Sequence, residues 1–119
     1  MEMKTAIRCL SALAQETRLT VFRLLVQAGF GGLPVNKIAE ALGVAGPTLS
    51  FHLKELAHAG LIHGRQEGRF IYYSANYATM SELMAFLLEN CCGGNLGLCT
   101  PATGRRPASK RSRKEVTNP

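Results

Sequence analysis

The 119-residue chain is predicted to be mainly α-helical with one small β-hairpin. Three observations carry that prediction: two amphipathic stretches before residue 30, two short helical stretches joined by a tight turn, and two β-prone stretches that meet at Gly68. Over residues 4–14, Ile7, Leu10, Leu13 and Ala14 recur at helical spacing. Gln15, Glu16 and Thr17 break the pattern, and residues 18–28 resume it with Leu19, Val21, Phe22, Leu25 and Val26. Residues 29–34, with three glycines and a proline, read as a loop. Residues 36–42 keep Ile38, Ala39 and Leu42 on one side of a short helix, which Gly43 ends as a glycine just past a C-terminus does. Val44, Ala45 and Gly46 form a turn, and Pro47 takes the first position of the next helix, where its missing N–H is no loss.

Two helices joined this tightly must cross steeply, which is helix-turn-helix geometry. In the second, Leu49, Leu53, Leu56 and Ala57 share a face, and the opposite face carries Pro47, Phe51, Lys54, Glu55 and His58. Thr48, Ser50 and His52 flank that outward face near its start. Small hydroxyls, an imidazole and an aromatic ring suit base-edge and thymine-methyl contacts in a DNA major groove, and Lys54 suits a phosphate. A plain pair of antiparallel helices with a solvated face would carry the same pattern. The residues after the second helix favour DNA. Ala59 and Gly60 close the helix, residues 61–65 give a strand, residues 66–68 a turn, and residues 69–74 a returning strand rich in β-branched and aromatic side chains. Helix, turn, helix and hairpin in that order make a winged helix-turn-helix, with Arg65 and Arg69 bracketing a wing tip laid along the sugar–phosphate backbone. Residues 80–88 form a last helix, so apolar that either core packing or a partner must cover it.

These stretches resemble the ArsR/SmtB family of small bacterial winged-helix regulators, which includes arsenic-responsive repressors. The matching segments are LSALAQETRL (10–19), IAEALG (38–43), PTLSFHLKEL (47–56), AGLI (59–62) and EGRFIYY (67–73), in the family's order. The likeness spans about residues 4–88. It implies a homodimer whose interface is built by the first and last helices, two recognition helices entering successive major grooves of an inverted-repeat operator, and release of the DNA when an inducer binds.

Length and charge bound this reading. A chain this small makes one domain with a modest core, to which a dimer would add buried surface. No apolar run is long enough to span a bilayer and no signal segment precedes the first helix, so a cytoplasmic protein with no membrane partner is expected. The net charge of +6 is concentrated at the C-terminus, where Arg105, Arg106, Lys110, Arg111, Arg113 and Lys114 face only Glu115. Residues 100–119, rich in Pro, Ser, Thr and Arg without periodicity, are predicted to be a disordered basic tail that adds salt-sensitive, non-specific DNA affinity. The domain plan is therefore 1–90 for DNA binding and dimerisation, 91–99 for a cysteine segment, and 100–119 for the tail.

Cys91, Cys92 and Cys99 form a cluster divided by glycines, while Cys9 lies on an amphipathic helix and is read as packing. Without an export signal, reduced thiols are expected. His52, His58 and His63 all fall in the DNA-reading unit, so a four-ligand zinc site is poorly supplied. Glycines allow the segment to fold back, offering three soft thiolates to one soft three-coordinate ion. Trivalent arsenic completes its coordination with three sulfurs, and antimony(III) fits the same donors. Compared with the family, the Cys-Val-Cys motif many arsenic sensors carry ahead of the recognition helix is missing, since Leu33, Pro34, Val35 and Asn36 stand there. The Asp and His ligands of zinc and nickel sensors are missing too, because residues 77–90 offer only Glu82 and Glu89. The three cysteines resemble a smaller group of arsenic sensors whose ligands lie just beyond the last helix. As(III) is then the inducer, with no organic cofactor. Three other readings remain: a repressor governed by thiol oxidation or reactive sulfur, a thiol enzyme, and a DNA-binding protein without a sensor. The enzyme reading lacks an acid–base partner beside the cysteines and a loop to cradle an oxyanion.

Overall fold

The computed structural model describes residues 1–94. The chain separates into two units, Met1–Leu87 and Leu88–Pro119. The first contains, in order, α1 (Met3–Leu13), α2 (Glu16–Ala28), β1 (Leu33–Pro34), α3 (Val35–Leu42), α4 (Gly46–His58), β2 (Ile62–Glu67), β3 (Phe70–Ala75) and α5 (Tyr77–Leu87). This is the mainly helical fold with a small antiparallel sheet that the sequence predicts.

The departures have local causes. Helix α2 starts two residues early because the Gln15 side-chain oxygen accepts from the Arg18 backbone N–H at 2.8 Å, capping the first turn. Helix α5 starts at Tyr77 rather than Met80, with the Asn76 Oδ1 accepting from the Thr79 N–H at 3.2 Å. The predicted loop ahead of α3 contains a third strand: Leu33 pairs with Tyr73 and Pro34 with Tyr72, giving the order β1-β3-β2. Two residues are too few to show a strand's alternation, so the pairing is visible only once β3 is in place. The hairpin is also longer than predicted. Strand β2 continues to Glu67, paired with Phe70, so Gly68 and Arg69 alone form its tip.

The core is assembled from one stripe of each element. Val21 and Leu25 of α2, Ile38 of α3, Leu49, Leu53 and Leu56 of α4, and Leu61 after it are fully buried. Each such aliphatic side chain contributes about 1.5–3 kcal/mol relative to exposure. Cys9 packs among them as expected, its Sγ donating to the Ala59 carbonyl at 3.5 Å. The Tyr77 hydroxyl donates to the Val26 carbonyl at 2.8 Å and so fastens the start of α5 to the end of α2. Met3, Ile7 and Leu10 of α1 and Met84 and Leu87 of α5 are left exposed in the single chain. No helix among the described residues is long and apolar enough to cross a membrane.

Gly32 makes the third strand sterically admissible. It sits at φ +70°, and a Cβ there would lie 2.2 Å from the Tyr73 carbonyl oxygen. Gly43 has a similar φ of +65° but open space around it. Gly43→Ala should therefore cost only the left-handed backbone penalty, about 1–2 kcal/mol. Gly32→Ala should cost more than about 3 kcal/mol, because β1 must also separate from β3. Urea denaturation of the two variants checks the ranking, and equal losses would refute the steric account.

Candidate nucleic-acid interface and cysteine segment

Helix α4 buries Leu49, Leu53 and Leu56 and leaves Thr48, Ser50, Phe51 and Lys54 exposed, as the helical pattern predicts. Phe51 is 55 % exposed, an unusual position for a phenyl ring on an isolated surface. His52 corrects the sequence reading. It is 9 % exposed and turned into the protein, where its Nδ1 lies 3.3 Å from Arg18 Nη1. Arginine has donors only, so Nδ1 accepts. His52 follows Leu49 by three residues and precedes Leu56 by four, which places it on the edge of the buried stripe, and the hydrogen bond from Arg18 draws it inward.

Arg65 also differs from expectation. It lies within β2 opposite Tyr72, not at the tip, and its guanidinium is already committed to the Glu67 carboxylate and, at 3.1 Å, to the Gly31 carbonyl. Its guanidinium carbon is 5.3 Å from the Tyr72 ring centroid. Arg69 is the tip residue and is exposed, with no hydrogen bond or ion pair among the described residues. Between α3, α4 and β3 runs a groove of about 710 Å³ whose lining includes Lys54, His58 and Arg69 and no Asp or Glu. Its remaining wall is largely apolar, with Val35, Ala39, Leu53, Phe70 and Ile71. Sequence reasoning placed His58 on the outward face without singling it out. Its spacing of four residues from Lys54 was the available signal.

In the second unit, Cys91–Gly94 forms a 3₁₀ turn in which Cys92 adopts φ 57° and Gly93 φ 63°. This left-handed pair turns the chain sharply, and the Cys91 and Cys92 sulfurs come to 3.0 Å. Cys92 is a free, exposed thiol. Cys91 is disulfide-bonded, which corrects the expectation of reduced thiols throughout. The tight turn is the physical reason sulfurs in this segment can approach one another. Cys99 and the basic tail lie outside the described residues, and no group of three or more metal-ligating side chains occurs among the described residues. Cys9 is of a different kind. Burial pushes its thiol pKa up, against a smaller lowering by Arg8.

A helix-turn-helix with an exposed helix start, a wing and a groove lined by Lys54 and Arg69 without an acid is the architecture of a DNA-binding protein. A helix-turn-helix domain model matches residues 13–65. The chain is 37% identical over 75 residues to the HTH-type transcriptional regulator NmtR of Mycobacterium tuberculosis, covering 63% of this chain and 60% of that protein. It is 31% identical over 78 residues to the transcriptional repressor SdpR of Bacillus subtilis, covering 66% and 83%. It is 36% identical over 67 residues to the arsenical resistance operon repressor of Escherichia coli, covering 56% of each. The chain thus spans less than two thirds of the first and third of these relatives. Among solved structures, an ArsR-like transcriptional regulator from Rhodococcus superposes with TM-score 0.65 at 25% identity, covering 80% of this chain and 85% of that one. A homodimeric winged helix-turn-helix DNA-binding domain from Mycobacterium bovis superposes with TM-score 0.61 at 30% identity, covering 72% and 78%. The chain belongs to the ArsR family of winged helix-turn-helix transcriptional regulators, and it is a regulator, not an enzyme.

The contrast between the cysteines is directly measurable. With iodoacetamide at neutral pH, peptide mapping should find Cys92 alkylated in the native protein and Cys9 alkylated only after denaturation, because reactivity follows exposure and thiolate character. Native alkylation of Cys9 at a comparable rate would contradict its burial.

Proposed function

We propose that the protein is a homodimeric repressor that binds an inverted-repeat operator with α4 and the wing and leaves it when As(III), or equally Sb(III), binds Cys91, Cys92 and Cys99. The observation that carries the DNA-binding part is the exposure of Thr48, Ser50 and Phe51 beside a groove that gathers Lys54, His58 and Arg69 without an acid. The first three suit base edges, and Lys54 and Arg69 suit phosphates. Arg65, held by Glu67 and Gly31, supports the wing and contacts the backbone less than Arg69 does. The uncovered apolar faces of α1 and α5, and the homodimer formed by the Mycobacterium bovis neighbour, support a dimer. A dimer presents two recognition helices, which an inverted repeat matches.

The sensor part is supported by two sulfurs 3.0 Å apart, close enough to share one ion, and by an arsenical-resistance repressor among the relatives. Three thiolates complete the coordination of a soft trivalent ion, whereas zinc would want a fourth ligand. Reduction of the Cys91 disulfide by an external dithiol, which takes up the disulfide itself, has to precede ligation. Ion binding then orders residues 91–99 beyond the last helix, changes how the two subunits pack, and moves the recognition helices out of groove register. To favour release a hundredfold, the inducer must bind the DNA-incompetent state about 2.7 kcal/mol more tightly. The setting is cytoplasmic, and residues 100–119 add non-specific affinity.

The disulfide at Cys91 favours a second reading, in which thiol oxidation sets DNA affinity. One titration separates the two. With reduced protein on a labelled fragment of its own promoter, arsenite should abolish the anisotropy signal, and Cys91→Ser, Cys92→Ser and Cys99→Ser should each remove that response. Release by oxidant with indifference to arsenite would establish the redox reading instead.

The interface has its own test. Lys54→Ala and Arg69→Ala should weaken binding about equally for all DNA sequences and flatten the slope of log affinity against log salt by about 1 each. Arg65→Ala should flatten it much less. A larger effect from Arg65 than from Arg69 would reverse the assignment of the wing tip.

A further inference from the structure

Helix α1 carries the uncovered apolar side chains Met3, Ile7 and Leu10, and α4 carries the exposed Ser50 and Phe51. Arg18, in the first turn of α2, bonds to both helices. Its Nε donates to the Ala12 carbonyl in the last turn of α1 at 2.7 Å, and its Nη1 donates to His52 Nδ1 on α4 at 3.3 Å. The Gln15 side chain, accepting from the Arg18 backbone N–H at 2.8 Å, fixes the point from which the guanidinium reaches. Ala12 and His52 are both buried, so an acceptor left without its donor loses solvation as well as a bond. The planar guanidinium holds both acceptors in one rigid fork, which a lysine ammonium on a flexible stem does not reproduce. A second link joins the same helices, from Cys9 Sγ to the Ala59 carbonyl at the end of α4. Helix α1 therefore grips α4 at its C-terminal cap and, through Arg18, near its middle. His52 in turn packs edge-on against Phe51, with ring centroids 5.4 Å apart and planes at 63°.

We infer that Arg18 is a positioning residue: it relays the placement of α1 to α4 through Ala12 and His52, and so sets the angle at which Ser50 and Phe51 meet DNA. The inference rests on the repressor reading and supplies the element by which a change in subunit packing on α1 reaches the recognition helix. A purely structural arginine would affect stability without that linkage.

The test compares Arg18→Met, His52→Leu, their double variant and His52→Gln, whose side-chain oxygen can still accept, in the full-length reduced protein. Promoter affinity is read by anisotropy, self-association by sedimentation equilibrium, and backbone amide shifts by NMR without DNA. Each of Arg18→Met and His52→Leu should weaken DNA binding by about tenfold. The double variant should also lose about tenfold rather than a hundredfold, because contacting residues in one chain of bonds are not additive. His52→Gln should stay within about threefold of wild type, and self-association should change by less than about threefold in all variants. Arg18→Met should shift amides of residues 48–54 as well as 12–18. Additive losses, a His52→Gln variant as weak as His52→Leu, or shifts confined to residues 12–18 would each overturn the relay. If Arg18→Met fails to fold, Arg18→Lys, which can serve one acceptor but not hold both in a plane, should show the same pattern. If wild-type protein ignores the promoter fragment, the repressor reading fails, and the amide shifts alone decide the relay.

Discussion

The burial of one stripe of α4, Leu49, Leu53 and Leu56, is the constraint on which the rest of the structure depends. A helix that leaves its other face exposed can be held only from behind, and the covering has to come from several elements at once. Helices α1 and α2 and the start of β2 supply it, and the same packing buries Cys9, Val21, Leu25 and Ile38. With each aliphatic side chain worth about 1.5–3 kcal/mol, the stripe is a large part of the stability available to so small a domain. Polar side chains add direction to that non-directional force. Arg18 and Cys9 fix two points of α4 against α1, so the helix is seated at a set angle as well as buried.

The wing follows the same logic at lower density. Its β2 residues after Ile62 are exposed, and the sheet gains rigidity from the short third strand that Gly32 permits and from Arg65, which ties β2 to the Gly31 carbonyl. Its bonds to Glu67 and Gly31 occupy Nε and Nη2 of Arg65, and Arg69 alone of the two arginines stands at the tip. The groove between wing and α4 combines an apolar wall with three basic side chains, an arrangement that favours an anionic backbone passing over it.

The cysteine segment obeys different physics. Cys9 is chemically quiet because burial disfavours its thiolate, whereas Cys92 stands in solvent on a left-handed turn. On the proposed reading, adjacent sulfurs 3.0 Å apart serve ligation or exchange, and redox state rather than fold selects between them. The proposed regulation needs little structure of its own. It needs a helix whose packing differs between two states and a ligand that prefers one of them.

Much of this was legible in the chain. Periodicity located all five helices, because the stripes that pack are repeated over several turns, and Gly43, Pro47 and Gly60 marked their ends. The exposure of Thr48, Ser50, Phe51 and Lys54 followed from the same arithmetic. The sequence also determined the chemistry on offer, three clustered cysteines beyond the last helix and one apart from them. Tertiary structure decided what depends on partners distant in sequence. Leu33 and Pro34 are a strand only because Tyr72 and Tyr73 lie beside them, and Arg65 is committed because Gly31 comes within reach. His52 sits at the edge of a helical stripe, where spacing alone leaves either orientation open, and the guanidinium of Arg18, 34 residues earlier, drew it inward. Local spacing fixes which residues share a face, but hydrogen bonds and charges are satisfied by whichever groups folding brings near.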